Sequence, residues 1–202
     1  EPGLYHALIS SGQMVSQRET DRRLYADILE LAAQKGDTSL AEKMRAYREP
    51  PYADIPFAYG FVMDYYDALY KPYTPPQDYI ERGESANIGP FGVLGTEYTF
   101  VEKINVVRGL LDMFTVLYPQ IQDIDFRRSA TRLEVPIYIL DGAAELSARR
   151  DLALEWYNLL EAPKKHIFTF ENAAHAVAFE QYTAFHKIML ETVLPETYHS
   201  SN

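Results

Sequence analysis

Two short stretches hold the residue types that do chemistry. Asp141-Gly142-Ala143-Ala144-Glu145 directly follows the apolar, β-rich run Val135 to Leu140 (VPIYIL), and Asn172-Ala173-Ala174-His175 directly follows His166 to Phe170 (HIFTF). In open parallel sheets, ligands and catalytic groups gather just beyond the carboxyl ends of the strands. An acid beyond one strand and a histidine beyond its neighbour is the arrangement a general base needs. The carboxylate fixes the imidazole tautomer and stabilises the imidazolium that forms during proton transfer. Each residue alone has a plainer use. A loop histidine is commonly solvated or capping, Asp141-Gly142 is a turn signal, and Glu145 suits the first turn of a helix. The pairing in context carries the reading. His6 and His166 fall inside predicted strands, His186 on a helix and His199 in the tail, so they lack that context.

The elements that must position these loops are legible in the periodicity. After the run 135–140, with Pro136 near its start, a helix is expected from about Arg149 to Leu160, with Leu152, Trp156 and Leu159 on one face and Ala162-Pro163 closing it. The strand 166–170 follows, then a last helix on which Phe179, Tyr182, Phe185 and Met189 share a face. Strand, helix, strand, helix at this spacing predicts an α/β fold with a parallel sheet. Upstream, Leu4 to Ser10 (LYHALIS) reads as a short buried strand. Leu24, Ile28 and Leu31 share a helix face broken at Gly36-Asp37, and a second helix over 39–48 stops at Pro50-Pro51. From Tyr52 to Pro90, prolines alternate with aromatics, which predicts short helices and loops with many ring contacts. Gly89-Pro90-Phe91-Gly92 marks a turn before the clearest helix. There Phe100, Ile104, Val107, Leu111, Phe114 and Tyr118 repeat at spacings of three and four, and Pro119 is expected to end the run.

Composition narrows the function classes. The 202 residues carry 19 Lys and Arg against 29 Asp and Glu, a formal net charge of −10. That balance repels phosphate backbones and anionic membranes, and the pairs Arg22-Arg23, Arg127-Arg128 and Arg149-Arg150 are too short to make a basic patch. Nucleic acid and membrane are therefore not expected partners. There is no cysteine, which removes disulfides, thiolate nucleophiles, Fe–S clusters and cysteine-ligated zinc. No His-x-His or His-Glu-x-x-His cluster exists, and Glu145 with His175 would supply only two ligands, so neither metal nor cofactor is expected. No apolar run approaches the ~20 residues of a bilayer span.

The run VPIYILDGAAELSARRDLALEWYNLLEAPKKHIFTFENAAHAVAFEQ resembles the last third of an α/β-hydrolase, most nearly the capped, proline-iminopeptidase-like serine hydrolases. LYHALISSGQM resembles that family's sixth strand and its exit, residues from about 14 to 120 resemble the inserted helical cap, and PQIQDIDF resembles the return from cap to sheet. The resemblance implies a sheet strand over residues 1–13, a cap over 14–120, and a C-terminal hydrolase core of two strands and two helices over 121–202. It implies His175 as the triad histidine. The triad acid falls on Glu145, three residues after Gly142, where the family more often has Asp; Asp141 is the reserve candidate.

The family's nucleophile sits on a G-x-S-x-G elbow, and this sequence has none. Its serines lack the strand–turn–helix context of an elbow. Glu1-Pro2-Gly3 resembles neither a start site nor a signal peptide. The resemblance thus implies the C-terminal half of a serine hydrolase that cleaves a peptide (aminopeptidase-like) or ester bond, its serine and oxyanion hole lying outside this chain, so that the chain alone is inactive. The alternative is a hydrolase-derived binding or interaction module without catalysis. The apolar strand 4–10 would expose one edge, which invites the missing N-terminal half or a second copy as partner. Small-molecule or short-peptide substrates are implied, with Glu81, Glu84 and Glu97 as candidate carboxylates for a substrate ammonium group. The expected compartment is the cytoplasm.

Overall fold

The computed structural model describes residues 1–53, 55, 57–82 and 96–198. Among them are three strands: β1 (Leu8–Ser11), β2 (Ile137–Gly142) and β3 (Lys165–Phe170). They form one parallel sheet in the order β1-β2-β3, with Leu8 opposite Ile137 and Gly142 opposite Phe170. The helices, in chain order, are α1 (Gln17–Lys35), α2 (Thr38–Tyr47), α3 (Phe57–Met63), α4 (Tyr66–Leu69), α5 (Gln77–Arg82), α6 (Phe100–Ile121), α7 (Phe126–Ser129), α8 (Ser147–Leu159), α9 (Val177–Glu180), α10 (Tyr182–Ile188) and α11 (Leu194–Thr197). The chain divides into two compact units. One comprises the described residues of 1–15, 71–81 and 125–202, and the other those of 16–70 and 82–124.

In the sheet unit, β2 is the central strand and every one of its residues is buried, as expected for a parallel strand covered on both faces. The pleat sends Ile137 and Ile139 towards Val15 and the α8 residues Leu152, Ala153 and Trp156, with Leu160 beyond the helix end. Leu140 turns the other way, to Phe170, Ala173 and Val177, with Phe185 and Ile188 of α10 alongside. Burying each such aliphatic or aromatic side chain contributes about 1.5–3 kcal/mol. Trp156 also has its indole N–H satisfied, donating to the Ala130 carbonyl at 2.8 Å. These two layers fix β2 and β3 side by side, so the loops that leave their carboxyl ends start from defined positions.

The strand expected over residues 4–10 is shorter and later, Leu8–Ser11. Pro2–Leu4 instead forms a 3-10 turn, closed by the Tyr5 N–H on the Pro2 carbonyl at 3.0 Å, and proline at the start of a turn is pre-set for it. Pairing begins where the Leu8 N–H reaches the Pro136 carbonyl at 2.8 Å. The single C-terminal helix is also divided. Gln181 leaves helical geometry between α9 and α10, and a π turn over Met189–Val193 precedes Pro195, which lacks the N–H an unbroken helix would use.

The second unit is helical. Ser16 caps α1 by accepting the Glu19 N–H, and Gly36, at φ +65°, ends it in the left-handed conformation that a glycine adopts without steric cost. Its buried stripe is Leu24, Ile28 and Ala32, with Leu31 only half-buried. A buried carboxylate lies on the same helix. Asp21, 1% exposed, accepts from Gln17 Nε2 and from the Tyr118 hydroxyl, both at 2.8 Å, while the Tyr118 oxygen accepts the Tyr52 N–H at 3.1 Å. Burial, reinforced by the Asp21 charge, holds the Tyr52 and Tyr118 phenols well above their ordinary range, so both stay protonated and the Tyr118 hydroxyl donates to Asp21. Among its described residues, the proline- and aromatic-rich stretch forms short helices with ring contacts, Tyr47 on Phe61, Phe61 on Tyr65 and Tyr59 on Phe114 among them.

Helix α6 starts with a capping box between Thr99 and Glu102 but does not stop at Pro119. It continues to Ile121, the proline removing one N–H in the last turn, while the Gln120 and Gln122 side chains donate to the carbonyls of Val116 and Tyr118. Of its periodic face, Tyr118 is buried, whereas Phe100, Ile104, Val107 and Leu111 are exposed among the described residues. The turn expected at Gly89-Pro90-Phe91-Gly92 lies outside the described residues.

Candidate active site

The loops after β2 and β3 are stitched together before either side chain is considered. The Ala143 N–H donates to the Phe170 carbonyl and the Ala144 N–H to the Ala173 carbonyl, both at 3.0 Å, and the Glu145 N–H closes a turn on the Gly142 carbonyl at 3.1 Å. Gly142 has a steric role here. A Cβ on it would fall 1.9 Å from the Ala174 carbonyl oxygen, so only a glycine lets the two backbones run this close.

This stitching brings together the two residues singled out in the sequence. Glu145 Oε2 lies 2.5 Å from His175 Nδ1. The carboxylate is 4% exposed, and its other oxygen accepts the Leu146 N–H at 2.8 Å, just ahead of α8. The His175 side chain is 48% exposed. Its Nδ1 faces Glu145, and Nε2 has no hydrogen-bond partner among the described residues. A buried carboxylate on one ring nitrogen and an open second nitrogen is the geometry of an oriented base.

The reserve acid, Asp141, has a different occupation. Its carboxylate takes a bidentate pair from Arg150 of α8, at 2.9 and 2.8 Å, and the Thr169 hydroxyl of β3 at 3.0 Å. Asp141 and Thr169 are register partners, so this cluster ties β2, β3 and α8 together. It makes no hydrogen bond to His175.

Three further residues shape the site and were not found in the sequence. Arg149, four residues after Glu145 on the start of α8, brings Nη1 to 3.7 Å from Glu145 Oε1 and 3.4 Å from His175 Nδ1. The i, i+4 spacing to Glu145 is the signal that could have found it. Gly12, just past β1, adopts φ +58°, and a Cβ there would lie 2.5 Å from His175 Cε1. Glu180, at the end of α9, is buried and bonds the backbone beside His175. Neither has a spacing signature.

The other candidates lie elsewhere. Glu81 and Glu97 are exposed, Glu81 accepting from Gln77 at 3.1 Å, and Glu84 falls outside the described residues, as does His199. His6 is exposed and stands edge-on to Tyr198. His166 stacks on Tyr138 at 5.4 Å between ring centroids, with its Nε2 3.3 Å from Glu196. His186 packs beside Phe185 and Tyr182. The described residues hold no group of three or more His, Cys, Asp or Glu side chains suited to a metal ion, and no helix among them is long and apolar enough to cross a membrane.

No family model matches the chain. Over 187 residues it is 24% identical to the probable aminopeptidase YbaC of Bacillus subtilis (strain 168), a match covering 91% of this chain and 56% of that protein. Among solved structures, an alpha/beta fold family hydrolase from Bacillus anthracis str. Sterne matches 94% of this chain and 58% of its own, at 14% identity and a TM-score of 0.45. An alpha/beta hydrolase enzyme from a Medee basin deep-sea metagenome library matches 96% of this chain and 56% of its own, at 13% identity and a TM-score of 0.47. The chain therefore spans little more than half the length of these relatives. Its parallel sheet, with helices packed on both faces, makes it an α/β fold.

Proposed function

We propose that Glu145 and His175 are the acid and the base of a Ser-His-acid triad in a hydrolase that cleaves a peptide or ester bond. The observation that carries this reading is the 2.5 Å contact between Glu145 Oε2 and His175 Nδ1, with Nε2 left open. Glu145 holds the Nδ1–H tautomer. Nε2 takes the proton of a serine hydroxyl as that oxygen attacks the acyl carbon, and then gives it to the departing amine or alcohol. Water repeats the sequence in the second half-reaction and frees the acid. Glu145 stabilises the imidazolium in both steps without itself being protonated.

The serine and the oxyanion donors are supplied by polypeptide outside these 202 residues, since the sequence has no G-x-S-x-G elbow. The outer edge of β1, unpaired among the described residues and half-exposed at Leu8 and Ile9, takes the next strand from that polypeptide. The helical unit serves as the substrate-selecting cap. The name of the curated relative favours an aminopeptidase over an esterase.

The test is hydrolysis of prolyl and aminoacyl anilides, and of acyl nitrophenyl esters, by the full-length native protein and its His175→Ala variant. Turnover of the anilides that collapses in the variant supports the aminopeptidase; turnover of the esters alone supports an esterase. A folded native protein that turns over neither class overturns the reading in favour of a hydrolase-derived binding module.

A further inference from the structure

The backbone on both sides of His175 is held by one buried side chain. Glu180 is 3% exposed. Its Oε2 accepts the Ala174 N–H and its Oε1 accepts the Ala176 N–H, each at 2.9 Å. The two amides flank His175 in sequence, so one carboxylate straddles the residue that carries the imidazole. We infer that Glu180 is a positioning residue for His175, clamping the backbone from which the imidazole reaches Glu145.

The geometry of the surrounding chain explains why a clamp is needed. His175 lies in irregular backbone between β3 and the four-residue α9, where no strand ladder holds the main chain. The Ala174 carbonyl side is fixed by its close approach to Gly142, and the Ala173 carbonyl by the Ala144 N–H. Those contacts hold the near side of the loop. The N–H groups of Ala174, which is buried, and Ala176, which is half-buried, lie where an unmade hydrogen bond is costly. Glu180 satisfies both from the far end of α9, and so ties the turn containing His175 to the helix that follows it. Charge-assisted bonds from a carboxylate to backbone N–H groups are shorter and stronger than neutral ones. A glutamine keeps the size but offers one acceptor oxygen, and its amide nitrogen would oppose the second N–H. An aspartate is one methylene too short to reach both.

The clamp sets where the imidazole sits, and does not touch substrate. This inference rests on the proposed role of His175 as general base, and its test has a readout independent of turnover. In the wild type, the amide protons of Ala174 and Ala176 should exchange slowly with solvent, and the Nδ1–H of His175 should give a sharp, strongly downfield proton resonance from its bond to Glu145. In Glu180→Gln, the expected result is faster exchange at one or both amides, loss or broadening of that resonance, and a kcat about 10²-fold lower with KM little changed, since a reacting group displaced by ~1 Å loses that much rate. Glu180→Asp should behave likewise, so a failure of one variant to fold leaves the other to decide. Rapid exchange of both amides in the wild type overturns the clamp. So does a folded variant that lowers thermal stability while leaving the resonance and kcat unchanged, because that is a structural role alone. If the wild-type protein hydrolyses nothing but the resonance still depends on Glu180, the clamp stands and the hydrolase reading fails.

Discussion

Gly142 and Ala174 approach so closely that a single methyl group on Gly142 would land 1.9 Å from the Ala174 carbonyl oxygen. The obstructing atom is backbone, so it cannot swing away as a side chain would. Glu145 and His175 hang from the two segments that meet there, and their contact depends on that approach. Gly142→Ala should therefore destabilise the protein by about 3 kcal/mol, the upper part of the usual range for overpacking. It should also separate the acid from the base. Urea denaturation reads the first effect as a lower midpoint at unchanged slope. A Gly142→Ala protein with wild-type midpoint and wild-type activity would show that the two loops are not locked together.

Gly12 presses on the same site from β1, but its obstruction is different in kind. The nearest atom to an added Cβ is His175 Cε1, at 2.5 Å, and a ring can move. Gly12→Ala should cost about 1–2 kcal/mol for the left-handed backbone. The activity loss should exceed what the unfolded fraction explains, because the imidazole is what yields. Comparing the folded fraction with kcat at one temperature separates the two effects. Equal losses in both would place the whole effect in folding.

Which carboxylate serves as the acid of the proposed triad is decided by two isosteric changes. Glu145→Gln should keep the fold and lower kcat by about 10⁴-fold, as expected when the acid that fixes the histidine tautomer becomes an amide. Asp141→Asn should act chiefly on stability, since Asp141 is occupied by Arg150 and Thr169. Removing the other partner, in Arg150→Ala, should cost about 3 kcal/mol by leaving a buried carboxylate without its cation. The reverse pattern, with Asp141→Asn abolishing turnover in a stable protein and Glu145→Gln active, would move the acid to Asp141.

The pH dependence of stability has a local component at Asp125. The Arg127 guanidinium, bound at 2.8 and 3.0 Å, holds the Asp125 carboxyl below its ordinary value of 3.8. A carboxylate depressed on folding contributes stability that is fully present above its unfolded value and lost as pH falls through its folded value. The urea midpoint of the wild type should therefore exceed that of Asp125→Asn at pH 6, and the gap should narrow below about pH 4. A gap that is constant from pH 6 to pH 2.5 would show that the ion pair does not contribute in this way.

What was legible in the sequence, and what was not, follows from physical range. The strands after which the site lies are apolar runs, and the intervening helix α8 has its own period, so β2, α8 and β3 were readable within two residues. Glu145 and His175, which the structure brings into contact, could be singled out because ligands and catalytic groups gather at strand ends in parallel sheets, although the choice of Glu145 over Asp141 came from family resemblance. Glu180 and Gly12 were not, because their roles arise from how loops pass one another, and no local period encodes that. The α6 stripe shows the converse: its spacing correctly gave a helix, but an apolar period alone does not say what covers it. Pro119 was read as a stop where the last turn tolerates the loss of one N–H.

The most direct measurement of the central claim is covalent labelling of the full-length native protein with a fluorophosphonate, a probe that phosphonylates activated serine hydroxyls, followed by mass-spectrometric mapping of the modified residue. The account predicts one labelled serine, outside these 202 residues, with labelling lost in His175→Ala and strongly reduced in Glu145→Gln. A folded native protein that takes up no probe, or one labelled equally well without His175, would contradict it.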